Sequence, residues 1–219
     1  MALEIPGSEI DPGQLRQIDP ALLNLTTKEV LPDLITRYSV HGDWGHVKAA
    51  LLLRQLSFEI ISQTLDTTTT HNRFGWAVNL TSKIKVFRKK GDVILQGVAG
   101  QGYAGYNNDG GVEITPDENN RAVVPFQFGF VAAYNHYFSD KWSASVVYSE
   151  TNQQNSAGQL GDSFHRSRYF VTQVIYNVFP GHFALGLNYQ YGMRINKDLA
   201  SAYDNRVMFT ARYMFKYKN

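Results

Sequence analysis

The strongest constraint on this chain is a period-two pattern that recurs along most of its length. Over residues 74–86, Phe74, Trp76, Val78, Leu80, Ile84 and Val86 alternate with Gly75, Ala77, Asn79, Thr81, Lys83 and Lys85. Successive side chains of an extended strand point to opposite faces, so this run has one apolar face and one small, polar and basic face. Residues 183–194 repeat the pattern, with Phe183, Leu185, Leu187, Tyr189, Tyr191 and Met193 set against Ala184, Gly186, Asn188, Gln190 and Arg194. So does the C-terminal end, where Val207, Phe209, Ala211, Tyr213 and Phe215 alternate with Arg206, Met208, Thr210, Arg212 and Lys216. Weaker versions occupy 34–40, 46–58, 93–106, 126–137, 142–150 and 166–178, with the facing of 93–106 and 166–178 left open. About nine strands result. Residues 1–30 are broken by Pro6, Gly7, Pro12, Gly13 and Pro20 and read as an irregular loop with a strand end near 2–5. Residues 31–219 form the strand-bearing domain.

The connections alternate in length. Tight turns are expected at 41–45, 88–91, 139–141 and 180–182, and longer polar loops at 60–73, 107–123, 151–165 and 196–204. Short turns on one side and long loops on the other are characteristic of an outer-membrane barrel. The fold class expected is therefore an all-β, antiparallel transmembrane β-barrel, with the last strand descending to the periplasmic side. Composition agrees. Charged residues make up 18% of the 219 positions, against roughly 25% in soluble domains, and aromatics reach 13%. Tyr134, Tyr137, Trp142, Tyr189, Tyr191 and Tyr213 lie near strand ends, where amphipathic rings mark membrane interfaces. No stretch approaches the roughly 18 apolar residues of a spanning helix. The chain has no cysteine, which excludes disulfides, thiol catalysis and Cys-ligated zinc. Its net charge of +2 gives no reason to expect nucleic acid as a partner.

Charge placement separates this pattern from that of a soluble sheet. Arg37, Lys48, Arg54, Lys83, Lys85, Arg194, Arg206, Arg212 and Lys216 all fall on the small and polar face, whereas the acids sit in turns, loops or strand ends. Soluble sheets usually mix both signs on their exposed face. A Lys or Arg at the bilayer midplane costs about 2–4 kcal/mol on the lipid side, so the apolar face is the outer one. Arg37, Arg54, Lys83, Lys85, Arg194, Arg206 and Arg212 are the expected pore-lining bases. Several bases facing one aqueous path favour small anions without binding them too tightly to leave.

Other chemistry is weakly encoded. Residues 100–105 spell Gly100-Gln101-Gly102-Tyr103-Ala104-Gly105, a G-x-G-x-x-G string, but no helix follows to hold a pyrophosphate, so no cofactor is expected. Asn107, Asp109 and Glu113 form a weak candidate cation loop that lacks EF-hand spacing. A barrel hydrolase would need a His near an activated Ser; spacing allows His136 to meet Ser143 or Ser145 across a hairpin, but nothing singles them out. The expectation is a non-enzymatic channel, with a barrel hydrolase, or a structural or adhesive barrel without an open pore, as alternatives.

Particular residues resemble a known family. Pro32-Asp33-Leu34-Ile35-Thr36-Arg37-Tyr38, then Gly42-Asp43-Trp44-Gly45-His46-Val47 and Leu52-Leu53-Arg54-Gln55-Leu56, resemble the DcaP-like family of trimeric outer-membrane porins. Gly75-Trp76-Ala77-Val78-Asn79-Leu80 and Gly100-Gln101-Gly102 through Tyr106 and Asp109 continue the resemblance. It implies a sixteen-stranded barrel in the outer-membrane lipid, assembled as a homotrimer and passing small anions, dicarboxylates among them, by passive diffusion. It also implies a signal peptide, a periplasmic segment, early strands and an inward-folded constriction loop upstream of this chain. An odd count of about nine strands and no visible export signal point the same way, to the C-terminal half of such a porin or a truncated reading frame. The chain departs from the family in ending Lys216-Tyr217-Lys218-Asn219 after Phe215, where barrels commonly end on an aromatic residue.

Overall fold

The computed structural model describes residues 1–5, 7, 10–14, 23–28, 31–62, 67–107, 110–119 and 121–215. Nine long strands carry the molecule: β3 (Asp33–Gly42), β4 (Gly45–Ser62), β5 (Thr67–Val86), β6 (Gly91–Gln101), β9 (Phe126–Tyr137), β10 (Trp142–Gln153), β11 (Phe164–Phe179), β12 (Phe183–Asn196) and β13 (Ser201–Tyr213). Each pairs antiparallel with the next, in the order β3-β4-β5-β6-β9-β10-β11-β12-β13. Short β1 (Ala2–Glu4) lies beside β3, and β2 (Leu23–Thr27) pairs with the far end of β4, residues 58–62. The sheet has 11 strands and does not close on itself among the described residues. β2 falls within residues 1–30, expected to be irregular at that point.

Turns of two to four residues link β3 to β4, β5 to β6, β9 to β10 and β11 to β12. In the β5–β6 turn, Phe87 and Arg88 both take positive φ, 50° and 54°, the handedness that matches hairpin twist. Gly181, at φ 78°, performs the same service between β11 and β12, where a side chain would be strained.

Two of the expected long loops are strand instead. β4 runs on to Ser62 and β5 starts at Thr67, so most of 60–73 is hairpin; residues 63–66 lie outside the described residues. Thr67 to Thr70 look polar by composition, but threonine is β-branched and fits a pleated strand. Likewise 196–204 shrinks to a turn of residues 197–200. Leu199 sits at φ 66°, and Asp198 Oδ1 accepts the Ala200 N–H at 2.9 Å. Asp204, expected in a loop, is inside β13.

Register resolves the facing of every long strand. Leu53 pairs with Leu34 and Trp76, Val78 with Ala99, Ala99 with Phe128, Val146 with Tyr134 and Thr172, Tyr189 with Thr172 and Val207. Paired residues share a face, so this row defines one continuous surface, here called outer. It holds most of the exposed large apolar side chains, among them Tyr38, Val40, Phe74, Leu80, Phe128, Val174, Leu187, Val207 and Phe209. The opposite, inner face is covered in part by chain folded onto it. The described residues within 102–125, with short strands β7 (Thr115–Pro116) and β8 (Ala122–Val123), pack Ile114, Ala122 and Val124 against the inner-face Leu56 and Phe58. Ile10 adds to this cluster and bridges to Ile114. An inward-folded segment, expected only upstream, is thus present in this chain.

Candidate functional site: the inner face of the sheet

Built from the loop end downward, the inner face begins with a buried polar core. Gln127 of β9 and Gln153 of β10 are register partners, and the Gln127 amide donates to Gln153 Oε1 at 2.7 Å. It also reaches the Val112 carbonyl at 3.0 Å, while the Val112 N–H donates to Gln153 Oε1 at 2.8 Å. These bonds stitch the infolded segment to the strands. Asp11 does the same for the N-terminal residues, accepting from Gly13 N–H, Gln159 Nε2 and Ser163 Oγ at 3.0, 3.0 and 2.8 Å. Such groups are tolerable in a low-dielectric site because they are bonded.

Arg54 anchors this core. Its side chain and those of Asp33 and Glu113 are 0% exposed. The guanidinium lies 3.2 Å from Asp33 Oδ2 through Nε and donates from Nη1 to Glu113 Oε1. It also donates to the Gly102 and Gly7 carbonyls, both at 3.0 Å. Tyr106 stacks beneath it at 5.6 Å, and its hydroxyl donates to Asp33 Oδ2 at 2.8 Å. Burial and the Asp33 acceptor push the Tyr106 phenol well above its ordinary range; burial alone pushes Tyr103 up to about 12. Arg54 therefore does not border an aqueous path. Its place in a patterned run on the polar face predicts a pore-lining base, but the fold-back of the β6–β9 connection brings Glu113 to it. Gly102 allows this approach: it sits at φ +72°, and a Cβ there would lie 2.2 Å from Leu56 Cδ1.

The other six expected bases occupy the inner face at two levels. Near the tight turns, Arg37 of β3 and Lys83 and Lys85 of β5 share the inner face with His41 of β3 and His46 and Lys48 of β4, and Arg212 lies at the same end of that face on β13, at the far edge of the sheet. His46 is the register partner of Lys83, and Lys85 of Asp92. Asp92 forms the one ion pair at this level among the described residues, to Lys83 Nζ at 3.0 Å, and accepts the Tyr137 hydroxyl at 2.8 Å. Arg37, Lys48, Lys85 and Arg212 carry no ion pair among the described residues. Arg212 borders a cavity of about 570 Å³ with Lys90, Tyr137, Asp140, Ser143 and Asn177. Toward the loop end, Arg194 lies 5.8 Å from the Phe164 ring and donates to Asn196 Oδ1 at 2.9 Å, and Arg206 pairs with Asp204 at 2.9 Å. The basic excess is thus concentrated at the turn end. Lys48 had the same parity signal as its neighbours; Asp92 was legible only as a strand-end acid, because pairing to Lys83 requires the register.

Neither the weak cation loop nor the alternative hydrolase pairing is assembled among the described residues. Glu113, a weak cation-loop candidate, is committed to Arg54 and to the Gly105 N–H at 3.0 Å, with Asn107 half-buried nearby and Asp109 outside the described residues. No group of three or more His, Asp and Glu side chains suited to a metal occurs among the described residues. His136 pairs in register with Ala144 on the outer face, whereas Ser143 and Ser145 are inner, so the sheet separates the groups a hydrolase would need to join. His136 Nδ1 instead meets the Tyr134 hydroxyl at 2.7 Å. The glycine string 100–105 ends β6 and enters a single 3-10 turn at Ala104–Tyr106, with no helix to receive a phosphate.

Comparison with known proteins adds the architecture. No protein-family model and no curated protein matches the chain. Its structure is similar to the crystal structure of the outer membrane channel DcaP of Acinetobacter baumannii, at TM-score 0.71 over 97% of this chain. The fold is porin-like. At 16% identity the likeness carries the architecture alone, and the chain spans 60% of the length of that structure. An all-β antiparallel barrel sheet, expected from the dyad pattern, is therefore the fold.

Proposed function

We propose that this chain belongs to an outer-membrane diffusion channel in which inner-face bases favour small anionic solutes, dicarboxylates among them, with no chemical step. The observation that carries this reading is the excess of inner-face bases at the turn end, Arg37, Lys48, Lys85 and Arg212, none in an ion pair among the described residues, where Asp92 pairs with Lys83 alone. Two unit charges about 6 Å apart in water attract by only about 0.7 kcal/mol. Four acting on one narrow path raise local anion concentration while leaving each contact weak enough to release. The apolar outer face and the porin-like fold support placement in the outer membrane with lipid as a partner, and the family resemblance implies a homotrimer. Arg37, Lys83, Lys85, Arg194, Arg206 and Arg212 serve as pore-lining bases, and Arg54 holds the infolded segment that narrows the path.

Liposome swelling tests this with the full-length protein. A four-carbon dicarboxylate should enter faster than a diamine of equal length, and a neutral solute of similar size should fall between them. Equal rates for all three, or faster diamine entry, would refute the preference. The chain packed on the inner face favours a second reading, a barrel without an open path; absence of any swelling would favour it.

A further inference from the structure

The outer face carries one departure from its apolar pattern. Toward the loop end of β10 and β11, Tyr148, Glu150 and Asn152 stand opposite Phe170, Arg168 and Arg166 in register, on the row that elsewhere holds Val146, Thr172 and Val174. Glu150 sits at its centre. Its Oε2 accepts from Arg168 Nε at 3.0 Å and from the Tyr148 hydroxyl at 3.0 Å, and its Oε1 accepts from Asn152 Nδ2 at 3.0 Å with Arg166 Nε at 3.6 Å. Arg166 Nε also donates to Asn152 Oδ1. Both arginines are thus held through Nε, their terminal nitrogens have no partner among the described residues, and their side chains are 34% and 40% exposed. Two guanidinium groups against one carboxylate leave a net positive charge aimed outward.

Height explains how the face tolerates it. Glu150 lies about 27 Å along β10 from Trp142 at the strand rise of 3.3–3.4 Å per residue. A barrel tilt of 35–45° turns this into about 20 Å of height, against an apolar band of about 25 Å. Trp142 and Tyr176, with ring centroids 4.6 Å apart, mark one edge of that band, and the arginines mark the other, where the penalty for a cation falls to about 0–1 kcal/mol. Phe130 lies level with Glu150 on the same face, Phe170 and Tyr191 lie one step below, and beyond these lie Val146, Val174 and Leu187. A forked cationic head above an aromatic and aliphatic surface is complementary to an amphiphile with a phosphorylated head and acyl chains.

We propose that Arg166 and Arg168 form an outward-facing site for the headgroup phosphate of an anionic membrane lipid, with Glu150 as the positioning residue that spreads the two guanidinium groups. Planar guanidinium forks suit phosphate oxygens better than a point charge does. The proposal rests on the membrane-barrel reading above. Native mass spectrometry of the full-length protein in detergent micelles, loaded with diphosphorylated lipid A, reads the site directly. The wild type should retain lipid A, and the R166Q/R168Q double variant should hold it about tenfold or more weakly, as loss of a charge-assisted hydrogen bond predicts. Glu150→Gln keeps the acceptor that positions both arginines but removes the competing charge, and should hold lipid A more tightly than wild type, a result that carries the proposal should the double variant fail to fold. Unchanged retention in the double variant, unchanged or lost retention in Glu150→Gln, or full displacement of the lipid by an equal concentration of inorganic phosphate would overturn it. Dissociation of oligomers in the double variant with lipid retention intact would assign the face to a second copy of the chain and also overturn it. Failure of the wild type to float with liposomes would refute the membrane barrel, whereas flotation with indifferent lipid retention would refute this site alone.

Discussion

Replacement of Arg54 by methionine should release the infolded segment while leaving the sheet in place. Arg54 joins strand β4 to three other stretches of chain: Asp33 at the start of β3, Gly7 in the N-terminal part, and Gly102 with Glu113 on either side of the turn at Ala104–Tyr106. Removing it strands two fully buried carboxylates, and breaking a buried pair by deleting one partner costs about 3–5 kcal/mol. At about 1.36 kcal/mol per decade, that is a factor of about a hundred to a few thousand in the ratio of docked to released segment. Glu113→Gln should cost less, about 1.5–3 kcal/mol for a hydrogen bond to a charged group, because Asp33 still balances the arginine. Amide hydrogen exchange in micelles reads the difference, since local opening is governed by its own free energy. Protection of residues 110–116 should fall most in Arg54→Met, less in Glu113→Gln, and stay unchanged in β11 and β12. Equal protection in all three proteins, or loss of protection spread uniformly over the barrel, would refute the latch.

Two further outcomes follow from the same geometry. Asp92→Asn frees the Lys83 ammonium and removes the acid paired with it at the turn end, so anion preference in a planar bilayer should rise; a shift toward cations would contradict the inner-face assignment. Adjacent residues on β10 test the faces themselves: Val146→Arg places a charge on the lipid side at a cost of about 2–4 kcal/mol and should impair assembly into liposomes, while Ser145→Arg on the inner face should assemble normally. Equal assembly of the two would sink the outer-face reading.

Parity read from single strands carried the nine long strands and sorted the bases, because a dyad repeat in a barrel strand is nearly unambiguous. It was weakest at the loop ends of the strands. The threonines at 67–70 and the Ser201, Asp204 and Asn205 stretch of β13 are strand with polar side chains, so nothing in their hydropathy distinguishes them from loop. The facing of β6 and β11 had to come from register with neighbours, since both their faces mix small and apolar residues. Arg54 shows the deeper limit. Its parity was legible, but burial depends on residues 102–125 folding back through Gly102, and Glu113 lies 59 positions away. Long-range pairing of that kind leaves no local pattern in sequence.

The central claim is that unpaired bases on the inner face set the charge preference of an open path. Reversal potential of the full-length protein in a planar bilayer under a tenfold KCl gradient tests it most directly, with perfect selectivity corresponding to about 59 mV. The account predicts a potential of the sign carried by chloride, moving toward zero when Arg37, Lys48, Lys85 and Arg212 are neutralised together. A potential of the sign carried by potassium would contradict it.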